Sequence, residues 1–260
     1  MKLISSRDNP FFKELSKLAG SSRQRRKAGQ TLLDGAHLVQ AYLLSGERPL
    51  HLLVNAAAAQ DREIASLIAQ LTDVPRTCLD AALFGELTDL KTPSGLLALI
   101  ELPQPHLAPA HNRFCILLED IQDPGNLGSI LRTAAAAGCD AAFLSTGCAD
   151  AWSPKVLRAA MGGHFALSIH EQADLRNVAA AFGGAIFAAS LQASASLYDC
   201  KLTGSIAFAF GNEGAGLSQE LSNICRQLIT VPMPGKVESL NVAAAAAVCL
   251  FEAVRQRGQV

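Results

Sequence analysis

"FCILLEDIQDPGNLGSILRTAAAAG", residues 114–138, carries the reading of the fold in a single line. Phe114–Leu118 is a run of five apolar residues, which suits a strand covered on both faces. "DPG" at 123–125 is turn chemistry, because proline presets φ and glycine tolerates backbone that other residues resist. Asn126 is well placed to cap the helix that follows, expected over Asn126–Ala137. On that helix Arg132 shares a face with Gly128, Ser129, Ala135 and Ala136, its neighbours three and four residues away. A face of such small residues admits a second backbone or a ligand beside one guanidinium. Strand, loop and helix in succession form the unit of a parallel α/β sheet, where ligands sit beyond the strand ends.

The same grammar recurs downstream. "AAFLS", "FALSI", "AIFAAS", "IAFAFG" and "QLITVP" read as further strands. Helices are expected at Pro154–Met161, Ala173–Phe182, Leu217–Cys225 and from Leu240 to about Arg257. Two more strand ends open into unusual loops. "FGNEGAGLS", 210–218, has three glycines but neither dinucleotide nor P-loop spacing, and its central Glu213 would repel a phosphate. "VPMPGKVESLN", 231–241, is forced off a regular path by two prolines and a glycine, and Ser239 or Asn241 can cap the alanine-rich helix beyond it.

Upstream, "ELPQPHLAPAHN" at 101–112 breaks the composition with three prolines in a polar setting. It divides the chain into a first domain over 1–102, a linker at 103–112 and a second domain over 113–260. The first domain also alternates. "TLLDG", "LHLLVN", "VPRTCL" and "GLLALIEL" read as strands, while "NPFFKELSKLAG", "AHLVQAYLLSG" and "DREIASLIAQL" read as helices, the first capped by Asn9 and stopped by Gly20. Between them "SSRQRRKAGQ" is basic and shows no period.

A net charge of −1 over 260 residues makes no global electrostatic statement, and leaves room for a local basic patch. Lys13, Arg23, Arg25, Arg26 and Lys27 are the candidates to meet nucleic-acid phosphates. The seven cysteines form no CxxC and no Cys/His cluster, so they read as reduced thiols of a cytoplasmic protein without a metal site. "MKLISSRDNP" lacks the apolar core of a secretion signal, and "NVAAAAAVCLFEAV" is too short to span a bilayer, so no membrane association is expected. No His/Cys/Asp set suggests a hydrolase triad.

"DPGNLGSILRTAAAAG", "FGNEGAGLS" and "VPMPGKVESLNVAAAAAVCLFEA" together resemble the three ordered signature motifs of the SpoU/TrmH family of RNA ribose 2′-O-methyltransferases, in the SPOUT superfamily. "SPKVLRAAMGGHFALSI" is similar to the same family, and the likeness covers essentially the whole second domain. "RDNPFFKELSKL" and "TLLDGAHLVQAYL" resemble the ribosomal-protein-like substrate-binding domain often fused in front, with "LDG" in place of the commoner "VEG". The resemblance implies an α/β fold with a mostly parallel sheet and a C-terminal trefoil knot, preceded by a smaller α/β substrate-binding domain. It implies S-adenosylmethionine as cofactor, with Gly211, Val231 and Leu240 bracketing the adenosine and Ser190 and Met233 nearby. It further implies a homodimer with active sites at the protomer interface.

By the same resemblance, Asn126, Arg132, Glu213, Ser239 and Asn241 form the catalytic set. A guanidinium with a pKa above about 12 is a poor proton acceptor. Arg132 is therefore expected to grip the adjacent phosphate and to stabilise charge developing on the ribose oxygen, held in place by Asn126 and Glu213. The target expected is structured RNA, ribosomal RNA first and transfer RNA as the alternative. An RNA-binding protein that kept the fold and lost the chemistry is the competing class.

Overall fold

Two sheets organise the chain in the computed structural model, which describes residues 2–58, 61–105 and 113–258. Most of the expected linker, residues 106–112, lies outside the described residues. Packing divides the chain into two units, Met1–Pro103 with Trp152–Phe165, and Gln104–Ala151 with Ala166–Val260.

The first unit is a five-stranded sheet of β1 (Lys2–Ile4), β2 (Gln30–Asp34), β3 (His51–Asn55), β4 (Arg76–Leu79) and β5 (Leu96–Glu101), ordered β1-β4-β3-β5-β2. β1, β4 and β3 run parallel, and β5 runs antiparallel to both β3 and β2. Its helices are α1 (Pro10–Gly20), α2 (Ser22–Ala28), α3 (Ala36–Leu44), α4 (Arg62–Gln70) and α5 (Ala81–Glu86). Asn9, Asp61 and Asp80 cap α1, α4 and α5 by accepting backbone N–H groups two or three residues on. α1 buries Phe12, Leu15 and Leu18 against Leu32, Leu53 and Leu97 of the sheet. Each such side chain contributes about 1.5–3 kcal/mol on leaving water.

Two readings of this half change. The basic run is a helix, α2, because Ser21 caps it at Gln24 N–H and Gly29, at φ 64°, ends it. Seven residues are too few for a hydrophobic period to show. The segment Trp152–Phe165, assigned from sequence to the second domain, packs with the first unit. Thr31 Oγ1 donates to the Trp152 carbonyl at 2.9 Å, and the rings of Tyr42 and Phe165 lie 5.1 Å apart. Within this segment α7 (Pro154–Ala160) brings Arg158 to 3.9 Å from the buried carboxylate of Asp34.

The second unit is a seven-stranded sheet in which every pairing is parallel. Its strands are β6 (Phe114–Leu118), β7 (Ala141–Leu144), β8 (Ser168–His170), β9 (Ala185–Ala189), β10 (Ala195–Ser196), β11 (Ile206–Phe210) and β12 (Gln227–Thr230), ordered β10-β12-β9-β11-β6-β7-β8. α6 (Pro124–Ala136), α8 (Leu175–Ala181), α9 (Gln219–Ile224) and α10 (Val242–Gln256) connect or cover them. The strands are apolar on both faces because helices lie over both, as β6 and β11 show by burying all their residues. α8 and α9 cover one face, where Leu175, Phe182 and Leu221 pack on Leu117, Phe143 and Ala209.

Burial pushes the thiols of Cys115 and Cys249 up to about 12 and that of Cys225 up to about 11, so these cysteines fill space as neutral groups. Among the described residues no helix is long and apolar enough to cross a membrane.

Candidate active site

The register of the two central strands brings distant loops together. β6 and β11 pair from Phe114↔Ile206 to Leu118↔Phe210, so both end level and the loops that follow emerge side by side. Glu119 N–H extends this ladder to the Phe210 carbonyl at 2.9 Å. The third loop, after β12, leads into α10, where Asn241 accepts the N–H groups of Ala243 and Ala244.

Three polar side chains tie these loops. Asn126 Nδ2 donates to Glu213 Oε1 at 2.9 Å, and Asn241 Nδ2 donates to Asn126 Oδ1 at 2.9 Å. The direction of this chain is determined throughout. Asn241 must present its oxygen to the α10 N–H groups, so its NH2 faces Asn126; Glu213 can only accept, so it takes the Asn126 NH2. The chain therefore runs from a helix N-terminus to a carboxylate, a favourable polarity.

Sequence grammar put Asn126 at the helix cap, and the structure corrects this. α6 begins at Pro124, and Asp123 caps it by accepting Asn126 N–H at 2.7 Å. That releases the Asn126 side chain to reach across to the other loops. Asn126 and Glu213 are expected to hold the Arg132 guanidinium. They bond to each other, and Arg132, exposed on α6, makes no hydrogen bond or ion pair among the described residues.

Beside these ties lies a cavity of about 500 Å³, walled by the loops after β9, β11 and β12. Ser190, Gly211, Val231, Met233 and Leu240 all line it, and so do Glu213, Ser239 and Asn241. Asn126 and Arg132 do not. Ala189, Gln192, Phe210, Leu217 and Thr230 also line it. These were not foreseen, and only their position at the ends of β9, β11 and β12 could have signalled them. Gly211 is where the second loop closes on itself. A Cβ there would lie 2.2 Å from the Gly216 carbonyl carbon and 2.3 Å from Leu217 N, so no larger residue fits.

On the first unit, Lys13, Arg23, Arg26 and Lys27 are exposed on α1 and α2. Arg25 is not among them. It is 5% exposed, and its Nη1 donates to the carbonyls of Leu18 at 2.5 Å and Ala19 at 3.1 Å, closing the end of α1.

Residues 113–251 match the model of the SpoU rRNA Methylase family, and residues 9–98 match the MRM3-like substrate binding domain. The chain belongs to the SpoU family. Among its relatives, the 23S rRNA (guanosine(2553)-2′-O)-methyltransferase RlmP of Bacillus subtilis is 35% identical over 96% of this chain and 98% of its own length. An uncharacterized tRNA/rRNA methyltransferase of Synechocystis is 33% identical over 98% and 94%. The SpoU methyltransferase AviRb of Streptomyces viridochromogenes, solved with AdoMet, superposes with a TM-score of 0.85 at 27% identity, covering 95% of this chain and 98% of that one. The SpoU cavity here fits a group of that size and chemistry. It offers backbone of the residue 211–217 loop, apolar side chains such as Val231 and Leu240, and the carboxylate of Glu213, which suits a cation rather than a phosphate.

Proposed function

We propose that this protein transfers a methyl group from S-adenosylmethionine to a ribose 2′-hydroxyl of ribosomal RNA. The observation that carries the reading is the convergence of three strand-end loops on one cavity, tied by the Glu213–Asn126–Asn241 chain. When bound, the cofactor supplies an electrophilic methyl on a positively charged sulfur. The residues proposed to hold it are Ser190, Gly211, Val231, Met233 and Leu240, with Ser239 on the same wall.

Arg132 acts on the RNA. Its donors, unengaged among the described residues, are available to an adjacent phosphate and to the negative charge that develops on the ribose oxygen as its proton leaves. The guanidinium does not take the hydroxyl proton, which passes to the phosphate or to water. Glu213, Asn126 and Asn241 keep the loops in register rather than perform the chemistry, so positioning supplies much of the acceleration. Lys13, Arg23, Arg26 and Lys27 meet RNA phosphates on the first unit.

The finer architecture belongs to the same reading. β12 inserts between β9 and β10, after which α10 returns to pack on α6 and β11, an order in keeping with a trefoil knot. The protein acts as a homodimer, for which the half-exposed Phe251 on α10 is the apolar anchor, and Phe251→Glu is expected to shift sedimentation toward the monomer.

Calorimetry with S-adenosylmethionine, followed by mapping of 2′-O-methylation on ribosomal RNA with and without the protein, tests the function. Cofactor binding and one new methylated ribose are expected. Absence of both would refute the enzymatic reading.

A further inference from the structure

The second loop poses a physical problem. Residues 211–217 form one wall of the cavity, and three of them are glycines. Each glycine loses more conformational freedom on being fixed than any other residue does. A shaped wall therefore needs tethers outside the loop's own sequence.

One residue supplies tethers at both ends. At the start of the loop, Glu119 N–H donates to the Phe210 carbonyl at 2.9 Å. At its end, Ser218 N–H donates to Glu119 Oε2 at 2.6 Å and Ser218 Oγ donates to Glu119 Oε1 at 2.8 Å. The loop between is braced by Asn212. Its Oδ1 accepts Gly214 N–H and Ala215 N–H, and its Nδ2 donates to the Asp120 carbonyl at 2.9 Å. Asp120 sits at φ 56°, an unusual conformation for a residue other than glycine, and Ser145 Oγ accepts its N–H and donates to its carboxylate. Glu119 itself does not line the cavity.

We propose that Glu119 is a positioning residue for the cofactor cavity, holding both ends of the glycine-rich loop so that Gly211 and Glu213 stand where the cofactor needs them. The inference rests on the methyltransferase reading. Both carboxylate oxygens accept from Ser218, so the clamp is charge-assisted and stronger than a neutral pair. Ser218 Oγ also accepts Leu221 N–H, which links the clamp to the start of α9.

The test is cofactor affinity measured apart from turnover and RNA affinity. In Glu119→Ala, the dissociation constant for S-adenosylmethionine rises about 10-fold or more, the size of one lost charge-assisted hydrogen bond. Turnover at saturating cofactor and affinity for RNA change little. Glu119→Gln recovers part of the loss, because an amide accepts from Ser218 N–H while donating to Ser218 Oγ. Unchanged cofactor affinity in Glu119→Ala overturns the proposal, and so does a Gln variant no better than Ala. Should the Ala variant not fold, Ser218→Ala decides: weakened cofactor binding supports the clamp and unchanged binding overturns it. Wild-type protein run alongside separates the two readings. Absence of binding there removes the proposed function and this inference with it, whereas wild-type binding equalled by Glu119→Ala removes this inference alone.

Discussion

Arg25 and Arg132 carry the same head group into opposite settings. In the first unit, Arg25 is buried with its guanidinium on the carbonyls of Leu18 and Ala19. In the second, Arg132 stands exposed without a hydrogen-bond or ion-pair partner among the described residues. The difference follows from what each helix end lacks. α1 stops at Gly20 with Ser21 already extended, leaving carbonyls that need donors, and a guanidinium seven residues beyond Leu18 supplies them. α6 closes on its own backbone, where Ala137 N–H reaches Thr133 and Gly138 N–H reaches Ala135, so Arg132 is not needed to close it. Counting cations in a sequence therefore does not count RNA contacts. A cation that closes a helix end is not available to substrate.

A second contrast separates helix caps from ties between loops. In the first unit, caps such as Asn9 and Asp61 act within three residues of themselves. In the second, Asn126, Glu213 and Asn241 bond across 87 and 115 residues of sequence. Damage to the first kind should appear as lost stability, and damage to the second as lost function.

Substitutions at these positions would break or sharpen the comparison. Arg132→Ala should lower turnover about 10²–10³-fold, as loss of a preorganised donor does, with no change in thermal midpoint. Arg132→Lys keeps the charge without the planar fork, and near-normal turnover in it would refute the need for a two-pronged donor. Asn126→Asp sets a second carboxylate against Glu213, whose Oε1 lies 2.9 Å from the present amide nitrogen. Like charges so close should reduce methylation by about 10-fold or more in a single-turnover assay.

Arg25→Ala should cost about 1–3 kcal/mol in denaturant unfolding, because buried carbonyls lose a charged donor, and should leave the salt dependence of RNA binding intact. Arg26→Glu should do the reverse, lowering RNA affinity and flattening the log–log salt slope by about 1 while stability holds. The smallest effect is at the end of α10. Hydrogen bonds from Arg255 and Gln256 hold the Glu252 carboxyl down at about 2, from an ordinary 4.5. A carboxyl lowered in the folded state contributes stability that is present above its unfolded value and is lost as pH falls from about 4.5 to about 2. Arg255 is largely exposed, so solvent screens the pair and the contribution is small. Glu252→Gln should flatten that part of an acid-unfolding curve.

Much of the fold was legible along the chain. Both alternations of strand and helix, the Asn9 cap, a cap at Ser239 or Asn241, and the three loops at strand ends depend on periods and turn residues within a few positions of each other. Two-residue β10, three-residue β1 and the short helix α2 escaped because a short element shows no period.

Local pattern by itself determined an α/β protein with its unusual residues gathered at strand ends. Only the tertiary structure decided that Asp123 rather than Asn126 caps α6, that Arg25 is buried, that Trp152–Phe165 packs with the first unit, and that Glu119 clamps Ser218. The physical reason is reach. A cap or an amphipathic stripe is settled by neighbours in sequence, whereas a bond across roughly a hundred residues exists only once strand order has set the two loops side by side.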